Sequence, residues 1–246
     1  MNRKDQRRGA KGQRKGSVAA FMAATVLVVC PPLAAEVDLT GYWSPRIHED
    51  HQYRWEGPKY GEYDGLPLTD EAYTVADAWD PLSYYHPENQ CDSMGITMIL
   101  RIPGNVHIYY ESENALIIKS EIFGRTRTIY LDGRSREEGP HTWGGHSLGE
   151  WDGDRLRVVT THMLPGGLHG GLRRNGVPTS ADMVMTEYFL VHDDYLSTIQ
   201  IVDDPQYLVE PLIRSISFRK LPDTTTLGPW ECEVIEWPDG LGPGVG

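Results

Sequence analysis

Four histidines fall within 29 residues, His141, His146, His162 and His169, and histidine is the side chain whose charge changes nearest neutral pH. His146 also lies inside Gly145-His146-Ser147-Leu148-Gly149, a G-x-S-x-G string that marks a nucleophilic serine when a buried strand leads into it and a helix follows. Its neighbours do not supply that setting. Gly139-Pro140-His141-Thr142-Trp143-Gly144 precedes it, and Asp152-Gly153 turns the chain into the β-branched run Arg155 to Thr161. Proton transfer by His146 is therefore favoured over nucleophilic attack by Ser147, which stays as a serine-hydrolase alternative. His146 follows paired glycines and stands between Trp143 and Trp151, a setting suited to close approach by a ligand.

Arg127, Tyr130, Asp132 and Arg134 make a second polar group. Tyr130 could donate to a substrate oxygen while Arg127 holds a carboxylate or a developing negative charge. Asp132-Gly133 reads as a hairpin turn, with Arg134 pairing to Asp132 or Glu137 at the surface. Glu111 and Glu187 sit in strand-like runs, where an inward carboxylate would act as a base and an outward one would be an ordinary solvated residue. Trp43, Trp143 and Trp151 are the candidate pocket walls, joined by His162 and His169 as ligand contacts. Imidazoles also bind zinc, copper and iron, but neither H-E-x-x-H nor a two-histidine, one-carboxylate spacing is present, so no metal is assigned and metal binding by these histidines stays a minor alternative. The absence of a Gly-rich nucleotide or phosphate fingerprint implies no redox cofactor.

The elements that must position these groups are mostly strands. From residue 96 onward, short apolar or β-branched runs alternate with turn signals: Ile96 to Ile102, Val106 to Glu111, Ala115 to Phe123, Thr126 to Leu131, Arg155 to Met163, Met183 to Val191, Tyr195 to Val202 and Leu212 to Phe218. That spacing predicts an all-β, antiparallel barrel. Both faces of the strands carry polar groups, which favours a barrel with a partly polar interior over a dry sandwich. One helix is predicted, from Asp70 to Trp79, capped by Thr69 with Ala72, Val75, Ala76 and Trp79 at helical spacing.

The first 35 residues have the order of a secretory signal: a basic start, an apolar run from Val18 to Cys30, and Leu33-Ala34-Ala35 as a small-residue cleavage site. An uncleaved anchor is the alternative. Without that segment the chain keeps 16 basic against 34 acidic residues, a net charge of −18, which argues against nucleic acid and anionic lipid as partners. Residues 36–246 then form one domain, with 36–90 wrapping or covering the barrel. Of three cysteines, Cys91 and Cys232 remain after cleavage and are expected to form a disulfide in an oxidising, periplasmic or secreted setting.

The segments Arg127-Thr128-Ile129-Tyr130-Leu131-Asp132-Gly133-Arg134 and Trp143 through Asp154 resemble a widespread group of secreted bacterial proteins of uncharacterised function. Those proteins carry R-x-I-Y-x-D-G-R followed by W-x-G-H-S-x-G-x-W-E-G-D. The likeness continues through Thr186-Glu187-Tyr188-Phe189 and Asp203-Asp204-Pro205, although Asp152 replaces the usual Glu and the stretch from His162 to His169 is this chain's own. Asp38-Leu39-Thr40-Gly41-Tyr42-Trp43 is similar to the opening of calycin or lipocalin-like barrels, in which a Trp closes one end. The expected function is binding of a small apolar or aromatic molecule, with cofactor-independent acid–base chemistry of lyase or isomerase type. His146, Tyr130 and Arg127 would be catalytic. A non-catalytic periplasmic carrier is the alternative.

Overall fold

A computed structural model describes residues 37–46, 63, 65–80, 82, 86–87, 89–91, 95–134, 139–166 and 176–236. The chain divides into Met1–Leu33 and Ala34–Gly246, and every described residue lies in the second unit. The expected signal segment and His169 thus lie outside the described residues, among which no helix is long and apolar enough to cross a membrane.

Nine strands close into one barrel: β1 (Gly41–Pro45), β2 (Val106–Ser112), β3 (Ala115–Ser120), β4 (Thr126–Tyr130), β5 (His146–Asp152), β6 (Arg155–Thr161), β7 (Val184–His192), β8 (Tyr195–Asp203) and β9 (Leu212–Lys220). Neighbours in sequence are neighbours in space, and β9 closes on β1. The antiparallel expectation needs one correction, because β4 and β5 pair in parallel, Ile129 beside Ser147 and Tyr130 beside Leu148. A parallel pair cannot be joined by a tight hairpin, so β4 and β5 are linked by a crossover connection. The Asp132-Gly133 turn therefore opens a crossover, whereas Asp152 to Arg155 forms the β5–β6 hairpin.

Alternation now has a direction. Leu156, Val158 and Thr160 of β6 are buried inside, as are Val106 and Ile108 of β2, Leu116 and Ile118 of β3, and Met185, Glu187 and Phe189 of β7. Hairpins 112–115, 152–155 and 192–195 lie at one end of the barrel. The other end carries the connections after β3, β6 and β8 and the long segment between β1 and β2.

Described parts of that segment pack onto the core. Its helix α1 (Asp70–Asp77) stops two residues before the predicted Trp79; Thr69 caps it by accepting from the Ala72 N–H at 3.2 Å, and Ala72 and Ala76 face the core. Thr69 N–H donates to the Tyr207 carbonyl and Leu68 forms an isolated bridge to Leu208, tying α1 to the β8–β9 connection. Ile96 to Ile102 is not a strand: Ile96–Met98 is a 3-10 turn, and Ile96, Ile99 and Leu100 are buried in the core. A run apolar on every side reads equally as strand or buried turn, and here the barrel end takes it as a plug. The Cys91–Cys232 disulfide joins the cover to the C-terminal stretch, as expected.

Candidate functional site

The glycines around His146 serve packing. Gly145 has φ +62°, and a Cβ there would stand 2.7 Å from the Thr161 carbonyl oxygen and 2.8 Å from Met163 Cγ. Gly149 sits on the inner wall, where a Cβ would meet Leu131 Cδ2 at 2.7 Å and Ile129 Cγ2 at 2.8 Å. Both glycines of G-x-S-x-G are thus demanded by close approach of neighbouring chain, and β5 continues as a strand through Asp152. The serine-hydrolase alternative lacks its strand–turn–helix support.

Ser147 is buried inside the barrel within a polar network. Arg127 on β4 donates through Nε to Ser147 Oγ (3.0 Å) and through Nη2 to Thr160 Oγ1 on β6 (2.7 Å) and Glu187 Oε2 on β7 (2.5 Å). Ser147 Oγ and Thr160 Oγ1 share a further bond of 2.9 Å. The side chains of Arg127 and Glu187 are each 1% exposed, so this is a fully buried ion pair. Among the described residues, Arg127 Nη1 and Glu187 Oε1 are buried without a hydrogen-bond partner. An unsatisfied buried polar group costs about 1–3 kcal/mol, and a charged one more.

The polar belt continues around the wall. Gln200 on β8 stands opposite Glu187, accepts from Arg214 of β9, and donates through Nε2 to the Thr97 carbonyl of the covering segment at 3.2 Å. Arg214 Nη2 donates to the same carbonyl at 3.0 Å. The belt therefore underlies the plug, while Leu156, Phe189, Leu196 and Phe218 fill the interior beyond it.

The proposed catalytic trio is divided by the barrel wall. Arg127 points inward, while Tyr130 and His146 sit at positions of opposite parity, on the outer face, with ring centroids 5.5 Å apart. Arg134 lies over the Tyr130 ring at 3.9 Å and also pairs with Asp132, whose carboxyl it holds down at about 2 from 3.8, chiefly by hydrogen bonding. His146 stands beside Thr161 in register, Thr161 Oγ1 bonds His162 Nδ1 at 3.0 Å, and the His162 and His141 rings lie 5.4 Å apart. His141 and His162 thus come together, while His146 lies on the outer face of β5 beside Tyr130, apart from Arg127.

Of the other sequence candidates, Glu187 is the inward carboxylate and Glu111 is exposed near the end of β2. Trp43 is wholly buried and donates to the Leu39 carbonyl at 3.0 Å, so it closes the core. Trp143 and Trp151 are half-buried against the core, with Arg125 over the Trp143 ring at 5.3 Å. Asp203-Asp204-Pro205 resolves into a turn: Asp204 accepts from the Ser180 N–H (2.7 Å) and hydroxyl (2.8 Å) and from the Gln206 N–H (3.2 Å). Ser147, Thr160, Gln200 and Arg214 were not singled out as network members from sequence. For Thr160 the signal was there, a polar residue in phase with Leu156 and Val158.

No family model matches the chain, and no curated protein or solved structure matches it either.

Proposed function

We propose that the protein is an exported binding barrel. Its interior takes a small, largely apolar or aromatic ligand and reads one polar group on it with Arg127 and Glu187. The observation that carries this reading is the buried, unpartnered pair Arg127 Nη1 and Glu187 Oε1. One is a donor and the other an acceptor, so the complementary group presents an acceptor and a donor side by side, as an amide does. A buried ion pair is weak evidence for stability, since an apolar pair of similar volume often serves as well. A binding role gives a reason for retaining the charges. The disulfide and the signal-like first 35 residues support an oxidising, periplasmic or secreted location. The acidity of the remaining chain supports a small-molecule ligand over nucleic acid. We also place the chain with the uncharacterised secreted family that its motifs resemble and keep the calycin-like label for the barrel; neither assignment carries an activity.

We advance binding without turnover over the lyase or isomerase reading, because strand alternation separates Arg127 from His146 and Tyr130. Calorimetric titration with benzamide, benzoate and benzamidine tests the proposal. Benzamide is expected to bind with one-to-one saturation and most tightly, since it alone offers both an acceptor and a neutral donor. Glu187→Gln removes the charge that repels a carboxylate and shifts preference toward benzoate, while His146→Ala leaves affinity unchanged. Saturable binding by none of the three, or an unaltered order of preference in Glu187→Gln, overturns the proposal.

A further inference from the structure

We infer that His141 and His162 form a binding site for a divalent transition-metal ion of the imidazole-preferring class, zinc ahead of copper(II). The pair is built by backbone. Thr142 and Met163 form an isolated parallel bridge, Thr142 N–H donates to the His162 carbonyl, and Leu164 N–H donates to the Thr142 carbonyl. This pairing holds the chain at His141 beside the chain at His162, and the two rings lie 5.4 Å apart at 50°. In a tetrahedral site each metal–nitrogen bond is about 2.0–2.1 Å, which puts two chelating imidazole centres roughly 5.2 Å apart. The observed centroid spacing of 5.4 Å is close to that value.

The hydrogen bond of His141 selects its ligating atom. His141 Nδ1 lies 2.8 Å from the Met163 carbonyl, which can only accept, so Nδ1 carries the proton and the Nε2 lone pair is left for a metal. His162 Nδ1 lies 3.0 Å from Thr161 Oγ1, a partner able to receive the same proton. Orientation of one ring nitrogen by a carbonyl or oxygen acceptor is the usual support for a metal-bound histidine. His162 also has φ +55°, a left-handed conformation for a residue with a Cβ; strain of this kind gathers at ligand sites. His141 is exposed and His162 half-buried, so an ion reaches them from solvent and keeps water or an exogenous ligand in its remaining positions. Zinc leads because the spacing fits tetrahedral coordination, whereas copper(II) prefers square-planar or tetragonal geometry, in which adjacent imidazoles stand closer.

The test titrates cupric chloride and, separately, zinc chloride into the untagged full chain by calorimetry, with electron paramagnetic resonance on the copper form. One equivalent should bind, with nitrogen coupling in the copper spectrum. His141→Ala and His162→Asn should each lose about 100-fold in affinity, since loss of an orienting partner alone costs roughly 10–100-fold. Asn tolerates the positive φ, so His162→Asn keeps the backbone. Thr161→Val should lose roughly tenfold, and His192→Ala, which alters an exposed hairpin residue, should lose nothing. In the unmutated chain, bound metal should protect His141 and His162 from diethylpyrocarbonate, read by mass spectrometry, so that misfolding of a variant does not decide the outcome. Absence of a one-equivalent site, undiminished binding in either histidine variant, or equal labelling of both histidines with and without metal overturns the inference.

Discussion

Replacing Arg127 by Met leaves Glu187 inside the barrel without either partner oxygen satisfied. In the unmutated chain Glu187 Oε2 accepts from Arg127 Nη2 and Oε1 accepts from nothing, so Arg127 is the sole hydrogen-bond partner this 1%-exposed carboxylate has among the described residues. Ser147 and Thr160 fare better, because they keep the 2.9 Å bond to each other. The cost therefore falls on one uncompensated charge, and breaking a buried pair this way costs about 3–5 kcal/mol. For a domain of this size each kcal/mol moves the melting temperature by roughly 2–4 °C, which gives a fall of about 10 °C. The double variant Arg127→Met, Glu187→Met removes both charges and should return to within about 1–2 kcal/mol of the unmutated protein, since an apolar replacement of the whole pair is close to neutral. Urea denaturation of the unmutated protein, Arg127→Met, Glu187→Met and the double variant at pH 7, followed by tryptophan fluorescence and calorimetry, yields the coupling energy. A single variant that loses less than about 1 kcal/mol, or a double variant whose loss is the sum of the singles, would refute the argument that Glu187 depends on Arg127.

Gly145→Ala should destabilise by about 2–4 kcal/mol, because the added Cβ meets a carbonyl oxygen at 2.7 Å in a left-handed conformation; Gly144→Ala, with nothing within 4 Å, should stay within about 0.5 kcal/mol, and equal denaturation midpoints would sink the packing account. Replacing Cys91 and Cys232 by Ser opens a cross-link spanning 141 residues and should cost about 3–5 kcal/mol by denaturant titration, with an unchanged midpoint showing that the bridge constrains nothing. Tyr63 is pushed from 10.0 up to about 12, first by burial and then by the hydrogen bond it donates to Asp77. Its folded form keeps the proton longer than its unfolded form, so its contribution is complete below pH 10 and is lost as pH rises toward 12. Tyr63→Phe should flatten the stability profile across that interval, and an unaltered slope would count against the assignment. His107, stacked on Tyr42 at 4.0 Å, is shifted down by burial and then by Lys119, so the unfolded chain takes up protons first and stability falls as pH drops below 6.5; His107→Phe should reduce that fall in an acid titration.

How much of this was legible beforehand differs by element. Thr69 and the spacing of Ala72 and Ala76 announced α1 because a cap and a helical stripe are local properties, readable from eight residues. The strands from Val106 onward, β5 excepted, were legible for the same reason, through period-two alternation and turn chemistry between them; β5 was hidden by the glycines and the Gly-Pro stretch at its start. Ile96 to Ile102 was misread as a strand because burial on every side erases the period that separates strand from turn. The parallel pairing of β4 with β5 was invisible, since hydrogen-bond direction depends on where a crossover goes and not on residue type.

The same division holds at the site. The sequence alone determined that Arg127, Glu187, His141, His146 and His162 were the groups with chemistry to offer, and that the strands carrying them would present two faces. Only the tertiary structure decided which face is inside. That choice sent Arg127, Ser147 and Glu187 into one buried network, left Tyr130 and His146 outside it, and brought His141 beside His162 across a single parallel bridge. The reason is physical: alternation is a property of one strand, whereas inside and outside exist only after nine strands have closed on one another.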